Sequence, residues 1–382
     1  MSQQDELASF EYTEDDNARD LWVTERGGKR RRLVQGLRSL DGISWSPRTG
    51  ELFFYGRRGV GDDALRAVSL SGSERVVWPG AGNFVLHDVA PDGRVLLERY
   101  TARSGVVYVR GNGAPAHDLG WLDGTVLEDL SRDGSQILFT EVGEGAGPSR
   151  GVYVRRTDGS PAVRLGDGRP QNFAPDGKWV LTVTTGEKPE IVLLPTGPGS
   201  PRKVPIEGIK PFGAIFIGDG SRIAVFHSAP GEPPQVSIVG VEGGRPRLVR
   251  TEGVNTETGF GFSPDGARFA YAVADHRIML APVSGGPAVP AAGAPLGPCE
   301  VITGWSHDGR SLLLRNRCET AARVARVEVQ TGERTPWVDL QLGDPTGIIR
   351  VSDPHYAGDD AAYAYAYFRT VSSDLYLVDG LK

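Results

Sequence analysis

Asp88, Asp129 and Asn172 stand at one recurring place in this 382-residue chain, each two residues ahead of a small residue that opens a tight turn. Carboxylate and amide oxygens delivered to one point from neighbouring elements suit a hard cation such as Ca²⁺, or a polar or cationic ligand. His87 stands beside Asp88 and adds an imidazole able to act as a base. Ser44, Ile215, Gly261 and Gly304 fill the same place elsewhere, so the polar set would gather on one side of whatever the repeats enclose. Two carboxylates brought close there would raise one pKa unless a cation or a donor lay between them. The alternative reading is that these side chains satisfy backbone groups between neighbouring elements, as most buried polar side chains do.

The elements that must position them are announced by the turns. Ala90-Pro91-Asp92-Gly93, Ser131-Arg132-Asp133-Gly134, Ala174-Pro175-Asp176-Gly177, Gly218-Asp219-Gly220, Ser263-Pro264-Asp265-Gly266 and Ser306-His307-Asp308-Gly309 recur at separations of 41, 43, 43, 46 and 43 residues, with a degenerate copy at Ser46 to Gly50. Pro presets φ, Asp bonds its own backbone, and Gly supplies the positive φ that closes a hairpin. Strand formers flank each turn, such as Phe84-Val85-Leu86 before one and Val95-Leu96-Leu97 after it. A polar loop and two further short strands follow, as in Val152-Tyr153-Val154, Thr157-Asp158-Gly159-Ser160 and Ala162-Val163-Arg164-Leu165. No helical apolar period lies between the strands, which argues against an α/β fold. Four antiparallel strands per period, repeated radially, predict an all-β β-propeller of four-stranded blades.

The chain therefore reads as a single domain over residues 1–382, because repeat folds grow by adding units that contact only their neighbours. Seven full blades are expected over 40–340 and a partial blade over 345–382. The N-terminal strands of 1–36 would close the ring by adding Arg32 to Val34 to the last blade. That count gives eight blades, with nine or seven as the alternatives.

Composition fits a rigid, turn-rich β-protein, with 52 Gly and 27 Pro. A net charge of −6 without a concentrated basic patch argues against nucleic acid as the main partner. No apolar run is long enough to cross a bilayer as a helix. The polar start Met1 to Glu6 is not a secretory signal, and the compartment stays open. Cys299 and Cys318 flank the Ser306 to Gly309 turn almost symmetrically. A tight hairpin there would bring them within disulfide reach, a Cα separation under about 7 Å; two packed thiols are the alternative.

Catalytic signatures are few. The sequence holds no Gly-x-Ser-x-Gly elbow, no His-Glu-x-x-His, no phosphate loop and no Cys-x-x-Cys. His117-Asp118 falls on an outer strand and reads as a surface pair.

The Ser/Ala-Pro-Asp-Gly hairpins resemble those of TolB-like propellers built from WD40-like (PD40) repeats. Leu86 to Leu97, Thr157 to Gly166, Val192 to Gly197 and Ser373 to Lys382 resemble more specifically the propeller region that follows the catalytic domain in a group of bacterial serine/threonine kinases. No kinase motif is present in this chain. The chain is expected to be a non-enzymatic binding or sensor platform related to kinase-associated propellers, and the one candidate cofactor, a Ca²⁺ in the channel, comes from Asp88, Asp129 and Asn172 and not from the resemblance. A protein or small ligand would sit on a propeller face or at the channel mouth of a monomer. It would place the chain outside the cytoplasm if the chain belongs to a membrane-spanning kinase. A cation-dependent hydrolase or lactonase using His87, Asp88, Asp129 and Asn172 is the alternative from another class, and a scaffold without ligand is the third.

Overall fold

Turn chemistry generates the observed structure. Gly93, Gly134, Gly177, Gly220, Gly266 and Gly309 all have φ between 65° and 90°. Each donates its N–H to the carbonyl three residues back, from Ala90, Ser131, Ala174, Ile217, Ser263 and Ser306 in turn. Each turn aspartate accepts the N–H two residues on, from Arg94, Ser135, Lys178, Ser221, Ala267 and Arg310. A further copy of the turn, at Ala357-Gly358-Asp359-Asp360, is disguised because Asp360 (φ 56°) takes the place of the glycine. Asp360 donates its N–H to Ala357 O, and the Asp359 side chain accepts from Ala361 N.

The computed structural model describes residues 6–12, 19–59, 62–80, 82–111, 114–142, 151–186, 188–229, 232–249, 251, 253–293, 295–318, 322–340 and 343–381. Among them the only helix is one 3₁₀ turn, Thr256–Thr258; the rest of the regular structure is antiparallel strand. The chain forms two compact units, 103–369 and 1–102 with 370–382. Two long strands, Val95–Arg110 and Ala362–Val378, each begin in one unit and finish in the other.

The larger unit is a ring of six sheets. Five are four-stranded, with innermost strands Thr125–Leu130, Arg169–Phe173, Pro211–Ile217, Phe260–Phe262 and Glu300–Trp305. The sixth takes its inner strands from the end of the unit, Ile348–Val351, His355–Tyr356 and part of Ala362–Val378. Its outer strands come from the start, part of Val95–Arg110 and His117–Asp118. Contacts run from each sheet to the next and from the last to the first. Phe173 N–H reaches Asp129, Phe216 N–H reaches Asn172, and Arg222 reaches Gly266 O. Trp305 Nε1 donates to Gly261 O, His307 N–H to the Asp360 carboxylate, and Gly358 N–H to Arg132 O. Five four-stranded sheets and this composite sixth, closed head to tail, make a propeller. Apolar seams such as Leu138, Val152, Phe173, Val180 and Leu194 fill the space between blades.

The expected eight-blade ring is therefore corrected. Arg32 to Val34 belong to Arg30–Leu37, the edge of a three-stranded sheet with Leu7–Tyr12 and Arg19–Thr24, and not to the last blade. The strands that close the ring are internal to the sequence, because the long strand Val95–Arg110 changes partner along its length. It pairs with Asn83–Val89 at its start and with His117–Asp118 near its end. The smaller unit also holds one complete four-stranded sheet, Ser39–Trp45 to Glu74–Pro79.

The turns give a direct stability test. A Cβ on Gly266 would lie 2.9 Å from the backbone of Gly218, whereas one on Gly177 would meet nothing within 4 Å, although both residues have positive φ. Gly177→Ala should cost about 1 kcal/mol and Gly266→Ala about 2–3 kcal/mol, read from chemical denaturation. Equal losses would show that the approach to Gly218 gives way freely.

Candidate functional site

An innermost propeller strand has a strand partner on one side only, so its other backbone edge must find acceptors elsewhere. Three sequence-selected positions supply them. Asp129 Oδ2 accepts Phe173 N–H at 2.8 Å, and Asn172 Oδ1 accepts Phe216 N–H at 3.0 Å while its Nδ2 reaches Phe216 O at 3.4 Å. In the smaller unit, Ser44 Oγ accepts Val89 N–H at 3.2 Å and donates to Asp88 Oδ1 at 3.0 Å. Each is a clasp between neighbouring inner strands. Asp88 belongs to the smaller unit and Asp129 and Asn172 to the larger, where the oxygens of these two bond backbone and side-chain partners. Among the described residues no three His, Cys, Asp or Glu side chains are grouped to hold a metal ion.

His87 sits apart from this position. Its Nε2 lies 2.8 Å from Glu98 Oε2, and Ser373 Oγ donates to Glu98 Oε1 at 2.7 Å. The Ser373 hydroxyl and then His87 hold the Glu98 carboxyl below its usual range. Asp118 is not only a surface residue: its Oδ2 accepts from Tyr367 OH at 2.8 Å across the closing sheet. Cys299 and Cys318 are joined by a disulfide with a Cα separation of 5.6 Å, next to the paired ends of Glu300–Trp305 and Ser311–Asn316.

What the six blades do build is a cavity of about 260 Å³ at the turn end of the ring. Its wall is the residue just before each turn, one per blade: Leu130, Phe173, Phe216, Phe262, Trp305 and Tyr356. Trp305 is locked by its Nε1 bond to Gly261 O and by Arg268, whose guanidinium lies 4.6 Å above the indole. Tyr356 is fixed by Thr303 (3.2 Å) and by the Trp337 ring at 4.8 Å. Burial raises the Tyr356 hydroxyl pKa far above its usual value, so it stays a neutral donor.

Polar groups rim this apolar wall. Asp360 accepts His307 N–H at 3.2 Å and pairs with Arg326 at 2.8 Å. Arg132 also borders a neighbouring recess of about 360 Å³ with Gly218, Asp219, Arg222, Pro264 and Asp265. An arginine of the first blade beside residues of the third and fourth must extend across the mouth. Arg132 and His307 are exposed, and among the described residues neither the Arg132 guanidinium nor the His307 ring has a hydrogen-bond or ion-pair partner. Asp219, Asp265 and Asp308 stay ionised, because the hydroxyls of Ser221, Ser263 and Ser306, followed by backbone N–H groups, lower their pKa values.

Arg132 and His307 were not among the residues singled out from sequence, although the repeat marks them. They occupy the turn position that is Pro91, Pro175 and Pro264 in other copies. A repeat that gives up its proline for a long cationic or aromatic side chain has exchanged turn rigidity for a group aimed at the mouth.

No protein-family model matches the sequence, and no curated protein does. Among solved structures, TolB from Acinetobacter baumannii is 13 % identical over 97 % of this chain and 66 % of its own, with a TM-score of 0.33; this chain thus spans just under two thirds of that protein. A protein of Agrobacterium tumefaciens assigned as TolB is 17 % identical over 71 % of this chain and 99 % of its own, with a TM-score of 0.49. An oligogalacturonate lyase in complex with manganese is 14 % identical over 74 % of this chain and 98 % of its own, at 0.35. None reaches 0.5, and the propeller ring stands on this chain's own strand pairing and contacts.

Asp129 also closes the ring, since its Oδ1 lies 3.3 Å from Nδ1 of His355 on the sixth blade. Burial favours neutral His355, but the hydrogen bond and charge of Asp129, with Glu128 and Asp353, outweigh it and raise the pKa. A raised folded pKa contributes stability that is complete below the usual histidine value and is lost as pH rises through the folded one. His355→Gln should therefore lower the melting temperature more at about pH 5.5 than at about pH 8. Asp129→Ala should cost about 1–3 kcal/mol at either pH by stranding Phe173 N–H. A His355→Gln deficit that grows with pH would overturn the assignment.

Proposed function

We propose that this chain is a non-enzymatic binding module whose ligand enters the turn-side mouth of the six-bladed unit. One observation carries the reading. Among the described residues the Arg132 guanidinium and the His307 ring stand without hydrogen-bond or ion-pair partners at the rim of a cavity whose wall is apolar and largely aromatic. Such a pocket takes an apolar or aromatic side chain against its wall and an anionic group at its rim. An extended peptide with an acidic residue or a free terminal carboxylate has both parts. The kinase-associated resemblance of the sequence supports a role as a sensor or interaction platform of this kind.

The cation-dependent hydrolase reading has less support. It needs free oxygens at Asp88, Asp129 and Asn172, and those oxygens hold inner strands together. Asp360 is similarly committed to His307 N–H and Arg326.

Selection of a displayed random-peptide library on the protein, followed by anisotropy titration of the recovered peptides, tests the proposal. Recovered peptides should carry an acidic residue or need their terminal carboxylate. Arg132→Ala should weaken them about tenfold or more, the expected loss of one charge-assisted hydrogen bond. Peptides that bind an Arg132→Ala, His307→Ala double variant as tightly as the parent would remove the mouth as the site.

A further inference from the structure

Thr370 to Val378, the end of the long strand Ala362–Val378, is the third strand of a sheet that has no fourth among the described residues. In the smaller unit the sheet runs from Asn83–Val89 to the start of Val95–Arg110 and then to this segment. The strand Ile348–Val351 covers the other edge only as far as Arg369. Beyond that, no described strand pairs with the outer edge of residues 370–378. Every four-stranded sheet in the chain covers its third strand with a fourth, for example Gly243–Leu248 against Gln235–Gly240.

The segment is unusual for an open edge. Natural edges are blunted by lysine, proline or bulges, yet Thr370-Val371-Ser372-Ser373-Asp374-Leu375-Tyr376-Leu377-Val378 contains no Lys, Arg or Pro and a single charge. Val371, Leu375 and Leu377 share one face by the two-residue period of a strand, and they are 60 %, 66 % and 58 % exposed. The segment is anchored at both ends of this stretch. Ser373 Oγ bonds Glu98, and Val378 and Leu381 pack on the core around Tyr55, Phe84 and Leu97.

We propose that this edge pairs, antiparallel and about a twofold axis, with the same strand of a second copy of the chain. A strand laid against it must offer apolar groups opposite Val371, Leu375 and Leu377 and a hydrogen-bond donor opposite Asp374. The strand meets that specification itself. A twofold axis through an antiparallel pair requires each residue to face one of the same parity, since facing side chains lie on the same side of the sheet. With Asp374 on the axis the two carboxylates would oppose each other, which is destabilising. With Ser373 on the axis, Val371 faces Leu375 and Asp374 faces the Ser372 hydroxyl in both halves. The two apolar faces then merge into one stripe. The result is an isologous interface, closed by its own symmetry.

The chain has no free thiol, because its two cysteines are bonded to each other, so one introduced cysteine reads the register. Sedimentation of the parent protein should show a concentration-dependent dimer. Leu375→Lys, at an exposed position, should raise its dissociation constant about tenfold or more with an unchanged melting temperature. Under mild oxidation Ser373→Cys should cross-link to its own copy, and Ser372→Cys should not. A parent that is monomeric up to about 0.1 mM, a weaker affinity than specific interfaces give, overturns the proposal. So does a dimer that is indifferent to Leu375→Lys, or one that cross-links equally through both cysteines.

Discussion

The ring depends on one recurring bond, from the backbone N–H of one innermost strand to a side chain of the innermost strand before it. An inner strand can pair on only one side, since the channel lies on the other. Its outward-facing N–H groups would otherwise be desolvated by the neighbouring blade without a partner, at about 1–3 kcal/mol each. Asp129 and Asn172 remove that cost at two successive junctions, and Ser44 does the same for Val89 in the smaller unit. Where the position holds Ile215 or Gly261, the junction bonds are of the opposite sense, with side-chain donors on backbone carbonyls. Arg222 reaches Gly266 O, and Trp305 Nε1 fills the space that the missing side chain of Gly261 leaves. The junctions thus differ in chemistry while keeping the same spacing.

Closure is the second demand, and it is met by borrowing strands from both ends of the unit. The sixth blade joins residues more than two hundred positions apart in sequence, held by the Tyr367–Asp118 bond and by the apolar seam of Val106, Tyr108, Leu127, Ala364 and Ala366. Asp129 belongs to this closure as well as to the clasp series, since one oxygen serves the second blade and the other the sixth. Few side chains in the unit are so placed that three blades depend on them.

Much of the fold was legible because turn chemistry is local. Pro, Asp and Gly at fixed offsets specify a hairpin whatever surrounds it, and the period of the hairpins specifies the sheets. Ring membership was not legible, because it depends on which partner the strands Val95–Arg110 and Ala362–Val378 take along their length, and each changes partner within an unbroken strand. One turn was hidden by Asp360 standing at a positive φ where its relatives have glycine. That residue spends some backbone strain to aim a carboxylate at His307 and Arg326. The polar trio stands at the position where the clasps form, and what its oxygens hold was not legible from the sequence. Asp and Asn oxygens serve a cation and a backbone N–H equally well, and only the direction of the side chain separates the two uses.

The same economy explains what is left at the mouth. Because the clasps consume the polar groups of the inner strands, the residue that follows each clasp position is free to be apolar, and all six blades of the ring use it so: Leu130, Phe173, Phe216, Phe262, Trp305 and Tyr356. Apart from Asp129 on its inner strand, charge then enters from the turns, where the hairpin itself holds the aspartates ionised and engaged. Four of the six turns depart from proline; Gly218 and Gly358 have no side chain to offer, whereas Arg132 and His307 send out groups that the ring does not need for its own cohesion. A pocket assembled this way has a wall fixed by packing and a rim that varies without disturbing the blades. The variable part of the sequence is thereby placed where a ligand would read it.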